Sequence, residues 1–174
     1  MFLLEFARDS IREPSKKQAA DLAATSEMNL RYAYFEAEVS IAAEGFEAET
    51  LQVPLLDFVH CVLLAARAVG NGQSGRISFT ESSLLIEFVP SGENLAVLRS
   101  WDPVPGSCGT TEFLHSAYRF SVDSLSRIGE RFPDFQRNPY HGTLGRMTRE
   151  IPPAVAVREG TVGKEERWGG AREQ

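Results

Sequence analysis

Cys108 lies in the run Pro105-Gly106-Ser107-Cys108-Gly109, where flanking glycines let a thiol or hydroxyl approach a substrate closely. His115 follows on a predicted strand, and Asp102 stands at the other end of the loop. Nucleophile, base and orienting carboxylate are therefore all present, and they form a triad only where the fold gathers them. No flanking residues specify an oxyanion hole, and the plainer reading is a Gly/Pro/Ser connection with an incidental cysteine.

A second candidate is the carboxylate group Glu36, Glu38, Glu44, Glu47 and Glu49, spread along one predicted hairpin. Alternation puts Glu36 and Glu38 on the same outward face. Acid and base chemistry needs a cleft in which burial separates two pKa values, and an outward strand face supplies none. As a docking surface, fixed negative charges on a rigid hairpin speed association with a basic protein and disfavour other partners. Glu36, Glu38, Glu47 and Glu49, with Trp101 and Asp102 nearby in the pattern, are the candidate partner-binding residues; a solvated sheet face is the competing reading.

Two further patterns carry less. Gly70-Asn71-Gly72-Gln73-Ser74-Gly75 matches G-x-G-x-x-G, but the phosphate-binding version follows a strand and opens a helix, whereas this one follows a helix and precedes a strand. It reads as a helix stop. His60, His115 and His141 fall on different elements, none with a carboxylate, Cys or His three or four positions further along the chain, and no C-x-x-C is present, so neither metal nor cofactor is expected.

The elements that must position these residues follow from periodicity. Residues 34–41 alternate, with Phe35, Ala37, Val39 and Ile41 on one side, and residues 46–53 return after Gly45 as a second strand. A helix over residues 54–69 places Leu55, Val59, Val62, Ala66 and Val69 on one face. Residues 76–80, 84–89 and 95–101 read as three strands, residues 102–110 as a loop with two prolines, and residues 112–120 as a sixth strand. Ser121 reads as the N-cap of a second helix carrying Val122, Leu125, Ile128 and Phe132. The expected architecture is α+β: a mainly antiparallel sheet of about six strands in ββαββββα order, with two helices on one face.

Sparse apolar periodicity at both ends predicts a flexible extension over residues 1–28, a single domain over residues 29–135 and a largely disordered tail over residues 136–174. Residues 29–135 hold fourteen acidic side chains against seven arginines and no lysine. Such a body repels phosphate backbones, which argues against nucleic-acid binding, and attracts basic surfaces. No apolar stretch is long enough for a membrane span, and two cysteines without a disulfide framework fit a reducing, cytoplasmic setting.

Val53-Pro54-Leu55-Leu56-Asp57-Phe58, Phe79-Thr80-Glu81 and Leu84-Leu85-Ile86-Glu87-Phe88, in this order of elements, resemble two overlapping groups over residues 29–135. One is the small uncharacterised domains of actinobacteria. The other is the α+β immunity proteins that neutralise polymorphic toxins. The resemblance implies a non-enzymatic binder that occludes a basic toxin domain, and it transfers no active residues. Alternatives are a small hydrolase or transferase using Cys108 with His115, and a self-associating protein that dimerises through an open sheet face.

Overall fold

Alternation builds the first hairpin as expected. In the computed structural model, which describes residues 1–79 and 82–151, β2 (Glu36–Ala43) pairs antiparallel with β3 (Phe46–Pro54), Ala37 opposite Val53 and Val39 opposite Leu51. Gly45 makes the turn at φ +103°. An additional strand, β1 (Leu3–Phe6), flanks β2 with Leu4 opposite Ile41 and Glu5 opposite Ser40. The second sheet is β4 (Gly75–Ser78), β5 (Leu85–Ser91), β6 (Asn94–Arg99) and β7 (Asp102–Gly109), each antiparallel to the next.

The class is therefore α+β, with seven strands among the described residues in two antiparallel sheets rather than one sheet of six. The sheets meet where Glu44 and Ser107 exchange backbone hydrogen bonds of 3.1 and 2.7 Å. Two glycines permit that approach: a Cβ at Gly45 would lie 2.8 Å from the Pro105 carbonyl oxygen, and one at Gly106 would overlap the Phe46 ring.

Helix α3 (Leu55–Gly70) buries the predicted stripe of Leu55, Val59, Val62, Ala66 and Val69. Gly72, at φ +74°, ends it. Gly75 then lets β4 lie directly on α3, because a Cβ there would meet the Ala65 carbonyl oxygen at 2.6 Å. The glycines of the G-x-G-x-x-G match thus serve a helix stop and a close packing contact.

The region after Trp101 differs from expectation. Residues 102–109 are strand β7, because Pro103 and Pro105 sit on an edge strand, where a missing N–H need not break the ladder. Residues 112–120 belong to helix α4 (Thr110–Arg131). Leu114 and Tyr118, which alternation puts on one side of a strand, are also four apart, and the buried set Phe113, Leu114, Ala117, Phe120, Ser124, Leu125 and Ile128 has helical spacing. Ser121 lies inside the helix, fully buried, its hydroxyl donating to the Ala117 carbonyl at 2.8 Å. Helices α3 and α4 pack on each other, and each touches strands of both sheets.

The supposed extension and tail are folded onto the body. Short helices α1 (Lys16–Ala19) and α2 (Glu27–Tyr32) precede β2, and α5 (Pro133–Gln136) and α6 (Pro139–Glu150) follow α4. Phe2, Leu4, Ile11 and Leu22 are buried from one end, Tyr140 and Leu144 from the other. Each segment has too few apolar residues to fold alone, so their burial is tertiary. Buried Asn138 couples them: its amide donates to the carbonyls of Leu22 (2.7 Å) and Thr25 (2.8 Å), while its side-chain oxygen caps the Tyr140 N–H. Residues 152–174 of the expected tail lie outside the described residues.

Candidate functional site

The three members of the supposed triad do not meet. Cys108, opposite Leu95 on β7, is 3% exposed, and burial, then the Glu112 carboxylate, pushes its thiol up to about 12. His115 is exposed on α4 and lines a different cleft, beside β1. Asp102 stands six residues from Cys108 along the same strand, roughly 20 Å at the rise of an extended chain. A buried, protonated thiol without an adjacent base is not an activated nucleophile.

Three of the candidate docking residues gather instead around one buried cation. Arg99 is held against Glu49 of β3, forms an ion pair with Asp102 at 3.1 Å, donates to the Val104 carbonyl at 3.1 Å, and stacks 3.8 Å from the Phe46 ring centroid. The Trp101 indole donates to the other oxygen of Glu49 at 3.0 Å. Glu49, Trp101 and Asp102 thus join the two sheets. Arg99 is the residue that sequence reasoning missed, although its place in the inward set Leu95, Val97, Arg99 marks a charge pointing at the core.

Glu36 and Glu38 share the outward face of β2, as alternation requires, and Glu5 of β1 joins them through its pairing with Ser40. Glu36 makes a 3.2 Å surface ion pair with Arg12. Glu38 and Glu47 are exposed and without an ion-pair partner among the described residues.

A cleft of about 350 Å³ runs along β3. One wall is Thr50, Leu51, Gln52, Val53 and Pro54, the other Ser78, Phe79, Ser82 and Leu84; Phe58 and Asp57 of α3 and Tyr32 and Glu36 complete it. The wall residues of β3 include both alternating sets, so the cleft meets the strand along its edge rather than on one face. Behind it, Asp57 accepts from Arg31 Nε and Nη2 at 2.8 and 2.7 Å, and Tyr140 Oη lies 3.0 Å from His60 Nδ1. Burial, then the Arg31 charge, lowers the His60 pKa. The signal in the sequence was a carboxylate, Asp57, inside an otherwise apolar run. Among the described residues, no group of three His, Cys, Asp or Glu side chains is placed to hold a metal ion, and no helix is long and apolar enough to cross a membrane.

No protein family, curated protein or solved structure matches this chain.

Proposed function

We propose that this domain is a non-enzymatic binding protein, of the immunity kind, that engages a basic protein partner in a reducing, cytoplasmic setting. The observation that carries the reading is the outer face of the β1–β2–β3 sheet. Its apolar alternates Ala37, Val39 and Ile41 are turned to the core, and Glu5, Glu36 and Glu38 stand together on the other side. A rigid sheet presenting like charges in an acidic body (net charge −6 over the chain) raises the encounter rate with a cationic surface. Hydrolase chemistry through Cys108 and His115 has no comparable support, since the thiol is buried and the imidazole is turned elsewhere.

Co-expression with the products of adjacent reading frames tests the reading. A basic partner should co-purify in fixed stoichiometry, with an association rate that falls as salt rises. The double reversal Glu5→Lys/Glu38→Lys should slow association at least tenfold. A partner bound equally well by the double reversal, or a catalytic activity lost with Cys108→Ala, would exclude it.

A further inference from the structure

The cleft along β3 has a property beyond its shape: its wall carries backbone groups turned away from their own sheet. The Leu55 N–H donates to the Phe35 carbonyl at 3.0 Å, which sets the phase of the β2–β3 ladder. Counting by two, Ala37 with Val53 and Val39 with Leu51 exchange the ladder bonds. Contacts on the far side of β2 agree, because the intervening carbonyls of Glu36 and Glu38 accept from Arg12 (2.7 Å) and Ala7 (2.9 Å), toward the N-terminal segment. On β3 the same alternation turns the N–H and C=O groups of Thr50 and Gln52 outward, along the edge that lines the cleft. β3 is the outer strand of its sheet, and this stretch pairs with no other strand among the described residues.

We infer that the cleft takes an extended segment of a protein partner as an added strand on β3, with apolar side chains at alternate positions and a lysine or arginine at the end beside Glu36. The inference rests on the binding reading above and names its mode. An extended peptide supplies the donors and acceptors that an exposed edge lacks, and side chains of one parity face the opposite wall. That wall and floor are apolar at Phe58, Phe79 and Leu84, so alternate apolar side chains fit them. The stretch from Thr50 to Pro54 spans roughly 13 Å, enough to pair with about five residues of extended chain. Charge chooses the flank: Glu36 lines the Pro54 end of the cleft, and its only ion pair among the described residues is the exposed one with Arg12, which a bound cation can replace at little cost.

The test is selection of a displayed library of random heptapeptides against the full chain, with Gln52→Pro as the control. Proline at residue 52 removes an N–H that faces the cleft and leaves the β2 ladder intact. Selected peptides should alternate apolar residues and carry a terminal lysine or arginine. A synthetic copy should lose at least tenfold in affinity on Gln52→Pro, and as much when its own backbone is N-methylated at alternate residues, a change that leaves the protein untouched. Selection of nothing beyond the control, or peptides indifferent to N-methylation, would overturn the inference. So would occupation of the edge by a second copy, seen as a dimer that Gln52→Pro dissociates, or by residues 152–174, seen as selection only with a chain ending at Ile151. A basic partner that still binds through Glu5 and Glu38 while the peptide arm fails would remove this mode and leave the binding reading standing.

Discussion

Arg99 of β6 reaches across the junction of the two sheets to Glu49 of β3, with its guanidinium fully enclosed and its partner about a third exposed. A charge so buried persists only with its counter-charges in place; Asp102 is the second, and the Val104 carbonyl accepts a further hydrogen bond, while Nε has no hydrogen-bond partner among the described residues. Trp101 donates to the same carboxylate and meets Phe79 edge-on.

Glu49→Ala should therefore destabilise the fold by about 3 kcal/mol, because it removes one of the two carboxylates that hold the buried cation. The paired replacement Arg99→Met/Glu49→Leu should cost much less. Urea denaturation of the three proteins checks this; equal losses for the single and paired variants would mean that the cluster acts through shape alone.

Gly75→Ala should cost about 2 kcal/mol, since the new methyl meets the backbone of Ala65 rather than a side chain that can turn away. Alanine at Gly142, where among the described residues nothing beyond its own helical turn and chain neighbours lies within 4 Å of the added methyl, should be neutral or slightly stabilising. Thermal melts of the pair separate a packing role from mere backbone freedom.

Asn138→Ala should cost about 2 kcal/mol and leave its mark at a distance in the sequence. The amides of residues 22–25 should exchange hydrogen faster while those of α3 stay protected, because the lost bonds run to the Leu22 and Thr25 carbonyls. Uniform loss of protection would show instead that the segment and the core open together.

Stability should fall as pH drops below about 6.5. Burial lowers the pKa of both His60 and His141, with Arg31 adding to the effect at His60. The unfolded chain then binds protons first, so stability is full above the unfolded value and is lost as pH falls toward the folded ones. Denaturant midpoints between pH 7.5 and 5.5 should show the slope, and His60→Asn/His141→Asn should flatten it.

In the native protein at pH 8, Cys108 should resist a thiol reagent that labels the unfolded chain rapidly, as expected for a thiol shifted to about 12. Fast native labelling, assigned to Cys108 by mass spectrometry, would revive nucleophilic chemistry.

Periodicity alone determined the first hairpin, α3 and the three strands from Gly75 to Arg99, because each repeats its buried residues locally, at every second position or along one helical stripe. It also placed Glu36 and Glu38 on one outward face. It failed where one pattern suits two structures, as at Leu114 and Tyr118, and where prolines on an edge strand resemble a loop. Tertiary structure decided the rest. Sparse apolar residues at the two ends become core only against the body between them, Phe2 on Phe88 and Phe113 and Tyr140 on His60, and Glu49, Trp101 and Asp102 acquire their role from Arg99. The cleft exists because β3 ends its sheet beside Phe79 and Leu84, at the ends of the β4–β5 connection of the other sheet. These relationships join residues far apart in the chain, and no local repeat records them.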